Sequence, residues 1–269
     1  MTSLLPFLIL SAAGTAGLAA GCGFGGARLI WFLPLCFLLC FALALLLYVL
    51  FLAVITLGVD RSTVRKEPSR FYFAVFEFTL GLLCALCRVR IHLSGMELLP
   101  EGRFLLVCNH RSNFDPLLTA YALRGRNLAF VSKPENMKIP VAGALALSCC
   151  YLPINRENDR EALKTVLAAA DYLKRSAGSI GLYPEGTRNR AGQGLLPFRT
   201  GAFKIAQRAG VPIVICTVKG TEKISGRAPW RSTTAELNIC RVISAADALA
   251  MKTAEIGEIV RETMLEEGC

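Results

Sequence analysis

The sequence predicts an α/β protein: a single, mostly parallel sheet flanked by helices, preceded by an N-terminal hydrophobic helical segment that anchors the chain in a membrane. Two observations carry this. From about residue 89 onward, short β-type runs alternate with helical patterns, and strands separated by helices imply crossover connections and parallel pairing. Ahead of them, Leu29 to Val59 is a stretch of 31 residues without a charge, beyond the ~20 needed to cross a bilayer as a helix. The chain is therefore expected to divide into residues 1–87, a membrane-anchoring and interfacial segment, and residues 88–269, a cytosolic α/β domain.

Taken in order, Thr2 to Ala27 is uncharged and rich in Gly and Ala. It lacks the basic start of a secretory signal and reads as an uncleaved membrane segment. Leu29 to Val59 follows as a transmembrane or deeply inserted helix, with Pro34 near its start or kinking it. In DRSTVRKEPSR, Arg61, Arg65, Lys66 and Arg70 outnumber Asp60 and Glu67, which places this side in the cytoplasm by the excess of positive charge. Phe71 to Cys87 carries one charge, Glu77, and is short for a span. An amphipathic or re-entrant helix on the cytoplasmic leaflet fits it.

Strands are expected at Arg88–Leu93, Phe104–Cys108, Leu128–Ser132, Tyr151–Ile154, Ser179–Tyr183, Pro212–Val218 and Ala235–Ile243. Helical patterns fall at Pro116–Leu123, Ile139–Ser148, Arg160–Ser176, Gly201–Ala209 and, last, Ala245–Glu266. The pattern leaves room for a mixed sheet at its edges.

The chain is 54% hydrophobic and carries a net charge of +10. Residues 1–60 hold only Arg28 and Asp60, so the whole excess belongs to residues 61–269. A basic domain tethered to a membrane attracts anionic lipid headgroups or phosphorylated substrates. Nucleic acid ranks low as a partner, because no aromatic-interleaved basic ribbon or known binding motif occurs. The eleven cysteines sit mostly in apolar runs and read as small hydrophobes. Cys84 and Cys87 form a lone CxxC and His92 is isolated, so no metal site is expected.

Chemistry concentrates in NHRSNFD, residues 109–115, which holds one of only two histidines. His110 has the pKa range to take and return a proton near neutrality, and Asp115 is placed to fix its tautomer. Residues five apart on a continuous helix point away from one another, so His110 is expected in a strand-to-helix loop and Asp115 at the first helical turn. The plain alternative is a structural histidine with Asp115 as a helix cap. Three further stretches end strand candidates, where α/β sheets gather ligands. In PINRE, Arg156 follows the fourth strand directly. In GLYPEGTRNR, residues 181–190, a turn presents Glu185, Gly186, Thr187 and the planar fork of Arg188, suited to phosphate. In LPFRTGAFKIAQRAGVPIVICTV, Arg199 and Lys204 flank the start of an apolar helix, and most of this stretch reads as packing.

NHRSNFD, the arginine of PINRE, the YPEGTR turn and the VPIV strand, in this order and spacing, resemble the glycerolipid acyltransferase superfamily. The nearest likeness is to the bacterial-type 1-acyl-sn-glycerol-3-phosphate acyltransferases, and it covers roughly residues 85–245. The resemblance implies that His110 and Asp115 are the catalytic pair, that Asn109 and Ser112 belong to the same block, and that Arg156 and the Glu185, Gly186, Thr187, Arg188 turn bind the acceptor, both arginines on its phosphate. It implies a weaker role for Lys133, in VSKPE. Tyr183 stands where phenylalanine is usual.

It further implies transfer of a fatty acyl group from acyl-CoA or acyl carrier protein to the sn-2 hydroxyl of 1-acyl-glycerol 3-phosphate (lysophosphatidate), giving phosphatidate, with membrane lipids as partners and with no cofactor beyond the thioester co-substrate. The cell membrane is the expected location, with the catalytic domain facing the cytoplasm. Amides of the helical turn near Ser112 to Asp115 are candidate oxyanion donors. Other acceptors stay open, glycerol 3-phosphate or another lysolipid, as do a lysophospholipid hydrolase, which lacks a GxSxG nucleophile turn here, and a non-catalytic binder of anionic lipid.

Overall fold

Two units make up the chain in the computed structural model, residues 1–59 and 60–269, and the structure describes residues 2–22, 28–175, 178–189 and 194–269. The first unit holds helices α1 (Leu5–Cys22) and α2 (Arg28–Leu57). Thr2–Gly21 and Trp31–Leu57, with mean hydropathies of 1.7 and 3.1, are long and apolar enough to cross a membrane. Residues 23–27, which close the Gly/Ala-rich segment, lie outside the described residues. Along α2, Leu35, Leu38, Leu43, Leu46 and Leu50 all face outward, and a helix apolar on its outer surface needs a lipid surround or partner helices. The polar side chains are satisfied within their own helix: Ser11 Oγ, Thr15 Oγ1 and Thr56 Oγ1 donate to the carbonyls of Phe7, Ser11 and Leu52 at 2.5, 2.7 and 2.7 Å. The two helices pack closely where Gly14 meets Cys40, since a Cβ on Gly14 would lie 3.1 Å from that sulfur; small residues allow such an approach between apolar helices.

The second unit begins with α3 (Arg70–Leu86) and continues as β1 (Val89–Ser94), β2 (Leu105–Cys108), α4 (Asp115–Ala122), β3 (Leu128–Ser132), α5 (Pro134–Met137), α6 (Ala142–Ser148), β4 (Leu152–Pro153), α7 (Asp159–Arg175), β5 (Ser179–Leu182), α8 (Lys204–Ala209), β6 (Ile213–Lys219), α9 (Ile224–Arg227), β7 (Thr233–Ile243), α10 (Ala245–Ala250) and α11 (Thr253–Glu266). All seven expected strands pair into one sheet of order β1-β7-β6-β2-β5-β3-β4. Pairing is parallel except between β6 and β7. The reversal thus lies inside the sheet: β7 runs back along β6, and β1 closes the edge parallel to β7. β2 and β5 are buried at every residue, as central parallel strands covered by helices must be, whereas β1 alternates half-buried and exposed positions.

Three boundaries differ from the sequence reading. First, α3 belongs to the α/β unit: Phe73, Phe76 and Leu80 are buried in the same core as β2, β3 and β6. Contacts therefore divide the chain at Val59/Asp60 and not at 87/88. Second, the long final helix is two helices, because Met251 and Lys252 are extended, with ψ of 155° and 151°. Each is started locally: Ser244 Oγ accepts from the Asp247 amide at 3.1 Å, and Glu255 Oε2 accepts from the Lys252 amide at 2.9 Å. Third, the helix expected from Ile139 starts only at Ala142, because Pro140 disfavours helical backbone in the residue before it and Val141 adopts a φ of 61°. Ser176, the expected end of the helix seen here as α7, lies outside the described residues.

The five strands that share one direction, β2 to β6, put their carboxyl ends at one end of the sheet. The loops that follow β2, β4, β5 and β6 carry His110, Arg156, Glu185 and Thr221, which fixes where the site is built.

Candidate active site

His110 follows β2 by two residues and Asp115 opens α4, as the five-residue spacing required. Nδ1 of His110 lies 2.8 Å from Oδ2 of Asp115. Because an ionised carboxylate only accepts, the ring is held with its proton on Nδ1 and with Nε2 bare. The plain reading of Asp115 as an N-cap for α4 fails, since its carboxylate bonds backward and Phe114 occupies the cap position. Asp115 is fully buried, and its charge is met by a ring of donors. Oδ2 also accepts from the amides of Arg111 and Ser112, each at 2.7 Å. Oδ1 accepts a short hydrogen bond from the Thr221 hydroxyl, on the loop after β6. A carboxylate satisfied on both oxygens stays oriented when the histidine becomes a cation.

Those bonds narrow one expectation. The Arg111 and Ser112 amides are spent on Asp115, the Phe114 amide donates to Ser112 Oγ at 3.2 Å and the Asp115 amide to the Ser112 carbonyl at 3.3 Å, which leaves the Asn113 amide as the oxyanion-donor candidate of that turn. Ser112 is buried and caps its own turn.

Other members of the expected set hold the scaffold. Asn109, 1% exposed, spans to β6: its Nδ2 donates to the Val218 carbonyl at 3.0 Å and its Oδ1 accepts from the Val218 amide at 2.7 Å. Glu185 is 5% exposed, with Oε1 accepting from the His110 amide at 2.8 Å and Oε2 from the Leu196 amide at 3.0 Å. It ties the turn after β5 to the histidine's own backbone, and the Asn189 amide donates to the His110 carbonyl at 2.7 Å. On the ring face, Tyr183 stacks on His110 with centroids 4.1 Å apart at 19° and rests in turn on Phe130. Burial first, then the nearby Asp115 carboxylate, push the Tyr183 phenol well above its ordinary pKa.

Beside this stack lies a cavity of about 420 Å³ between the ends of β3, β4 and β5 and helices α7 and α8. Val131, Ile154, Val166, Tyr183 and Ile205 give it apolar walls, and Arg156, Arg199 and Lys204 give it cations. Arg156 and Arg199 converge over Gly186. A Cβ on that glycine would lie 3.1 Å from Arg199 Nε and 3.9 Å from Arg156 Cδ, and the glycine's φ of +71° is one that side-chain-bearing residues avoid. Arg199 Nη1 donates to the Arg156 carbonyl at 3.3 Å, and the Arg199 amide donates to the Pro184 carbonyl at 2.8 Å. Burial, and then the Arg199 charge, lower the pKa of Arg156. Asp159 also lines the cavity, but among the described residues neither arginine has a carboxylate within ion-pair distance, so two like charges stand together at its rim without a direct ion pair, an arrangement that an anionic ligand relieves.

Arg199 was singled out in the sequence only as part of a stretch read mostly as packing; the structure brings it to Arg156 and Gly186. Its signal was weak: one arginine before a helix, fifteen residues after the β5 loop it joins. Thr221 was missed for the same reason, being brought to Asp115 from 106 positions away. Arg188 is half-buried, Thr187 exposed and Lys133 exposed after β3, and none of the three lines the cavity. Arg190, at the end of the turn motif, lies outside the described residues.

With this geometry in hand, residues 90–219 match the Acyltransferase family model. The chain is similar to proteins named 1-acyl-sn-glycerol-3-phosphate acyltransferase, at 37% identity over 125 residues in Salmonella typhimurium and 38% over 125 residues in Escherichia coli strain K12. Each of these alignments covers 46% of this chain and 50% of the relative. A chloroplastic enzyme of the same name from Brassica napus is 36% identical over 134 residues, 49% of this chain and 38% of the relative. The chain thus spans about half the length of the curated bacterial relatives that it matches. The crystal structure of the 1-acyl-sn-glycerophosphate (LPA) acyltransferase PlsC from Thermotoga maritima superposes with a TM-score of 0.58 at 20% identity, covering 83% of this chain and 90% of that one. This shows the shared fold of the acyltransferase domain.

Proposed function

We propose that the protein transfers a fatty acyl group from acyl-CoA or acyl carrier protein to the sn-2 hydroxyl of 1-acyl-glycerol 3-phosphate, yielding phosphatidate. The observation that carries this reading is the placement of a general base beside an anion-binding cavity, with one aromatic ring, Tyr183, common to both. The names of the relatives support it.

Bare Nε2 of His110 takes the proton of the acceptor hydroxyl as its oxygen attacks the thioester carbonyl. The tetrahedral oxyanion collapses, the carbon–sulfur bond breaks, and the imidazolium returns its proton to the departing thiolate. Such general-base assistance is worth typically ~10²- to 10⁴-fold. Asp115 stabilises the imidazolium through the 2.8 Å contact. A thiol nucleophile is disfavoured at this site: burial pushes the Cys108 thiol, just before the motif, well above its ordinary pKa. Arg156 and Arg199 hold the acceptor phosphate and so set the reacting hydroxyl against His110; Arg188 is a further phosphate ligand that the resemblance implies. Lys133, Thr187 and Ser112 complete the proposed acceptor region. No cofactor is required beyond the thioester. The chain is anchored through its N-terminal helices with this domain on the cytoplasmic side.

The deciding experiment incubates membranes containing the protein with labelled acyl thioester and lysophosphatidate. Labelled phosphatidate supports the reading. Free fatty acid alone supports a hydrolase, and no turnover supports a lipid-binding protein. Glycerol 3-phosphate and other lysolipids, tested at fixed donor, rank the acceptors.

A further inference from the structure

The second unit carries a surface feature that neither the site nor the motifs explain. Trp230 is 83% exposed, more than any other large hydrophobic residue of that unit. Indoles are rarely left in water without a partner, and they are enriched where one side is apolar and the other is wet. Around it the chain places cations. Segments 88–90 and 222–232 hold Arg88, Arg90, Lys223, Arg227 and Arg231 against one carboxylate, Glu222. All of these residues are exposed, and among the described residues none of the cations has a carboxylate within ion-pair distance. The segments meet directly: the Arg88 side chain donates through Nη1 to the Trp230 carbonyl at 3.3 Å, and the Arg231 amide donates to the Arg227 carbonyl at 2.8 Å.

Topology puts this patch at the working end of the sheet. β7 runs antiparallel to β6 and so begins at the end where β6 finishes and Thr221 meets Asp115; β1 begins beside it, with Val89 paired to Thr233. Packing agrees. Phe114, next to Asp115, and Ala228, two residues before Trp230, rest on one small apolar cluster of Cys84, Leu118, Ile224 and Ala235. Leu86, at the end of α3 and 37% exposed, adds an apolar side chain close in sequence to Arg88.

We propose that Trp230, with Arg88, Arg227 and Arg231, docks on an anionic lipid surface and turns the His110 end of the sheet toward the membrane. The occupant is chosen by chemistry. An amphipathic ring among unpaired guanidiniums matches the boundary between acyl chains and negatively charged headgroups. Tethering favours the same partner: the twelve residues between α2 and α3 reach at most ~45 Å when fully extended, so a chain held by α2 keeps this unit beside the bilayer.

The protein has only two tryptophans, so Trp31→Phe leaves Trp230 as the sole indole reporter. The full chain carrying Trp31→Phe is reconstituted in vesicles of phosphatidylcholine with or without phosphatidylglycerol, and emission is quenched with acrylamide from the water or with lipid brominated near the headgroup. Docking predicts that anionic vesicles shield Trp230 from acrylamide and that brominated lipid quenches it. Arg88→Gln, Arg227→Gln and Arg231→Gln should each weaken partitioning of the patch roughly five-fold and together restore acrylamide access, as should high salt. These three arginines are exposed, so folding, followed by circular dichroism, should not change. Equal acrylamide access in both vesicle types overturns the proposal. Shielding from acrylamide without quenching by brominated lipid also overturns it, because a protein surface would then be the cover.

Discussion

The two halves of the candidate site are built on opposite principles. Around His110 the buried side chains that orient it already have their partners: Asp115 accepts from two amides and a hydroxyl, Glu185 from two amides, and Asn109 closes a ring with Val218. Around Arg156 and Arg199 the charges face one another across Gly186 without a direct ion pair among the described residues. One half is finished before substrate arrives, as a base that must hold its tautomer requires. The other is completed by the ligand's own charge, which is how binding energy is converted into position.

If that contrast holds, substitutions of the buried side chains that orient His110 should damage catalysis and stability together, and those of the two arginines in the open half should damage binding alone. The largest effect is expected for Asp115→Asn. An amide keeps one acceptor oxygen where the carboxylate uses two, and it turns an N–H toward groups that themselves donate. Turnover should fall by about 10⁴-fold through the wrong tautomer, and the melting temperature should fall as well, read by calorimetry on the same preparation. An unchanged melting temperature would show that the buried donors are indifferent to the charge they surround.

His110→Ala comes next. It should remove ~10² to 10⁴ of the rate with little loss of stability, since the ring is partly exposed and bonded only to Asp115, and with membrane attachment unchanged. Near-normal turnover in the purified variant would dismiss His110 as the base.

Arg156→Ala and Arg199→Ala should each raise the acceptor KM by about 10- to 100-fold, the worth of a charge-assisted hydrogen bond, with the thioester KM changed far less. Lysine at either place should restore part of the loss, since it returns charge without the planar fork. If only the thioester KM moved, the cavity would belong to the donor. The smallest effect is expected from Gly186→Ala. Its Cβ meets the flexible end of Arg199 and not backbone, so the arginine shifts, the acceptor KM rises a few-fold, and stability drops by about 1 kcal/mol for the left-handed backbone. Equal acceptor KM values in the glycine and alanine forms would argue that Arg199 needs no exact placement.

The sequence revealed the strands because central parallel strands are short apolar runs, and Leu105–Cys108 and Ile213–Val218 look the same whatever surrounds them. It revealed His110 and Asp115 because the pair is local. Residues whose role depends on contacts between distant segments were less legible. Asn109 and Glu185 stood in the right motifs, but their bonds to the backbone of Val218, His110 and Leu196 join segments that the sequence does not show together. Arg199 was visible yet looked like packing, and Thr221 had no local pattern at all. The same limit hid the place of α3: a helix that is apolar over one long stretch reads alike on a membrane and against a sheet, and only its burial of Phe73, Phe76 and Leu80 decides.

Sheet order also sets a timetable for making the protein. β1 finds its only partner in β7, with Ser94 meeting Asn238 144 positions later, and Asp115 waits for Thr221. A ribosome adding ~5 to 20 residues per second therefore leaves β1 as an open strand edge for several seconds or more after it emerges, while the hydrophobic helices ahead of it are already seeking the bilayer. Unpaired edges recruit other strands, so the interval between β1 and β7 is where nascent copies crowded on one membrane are most exposed to pairing with each other. Slowing translation across residues 95–232 should lower the yield of folded protein more than slowing it anywhere after residue 243.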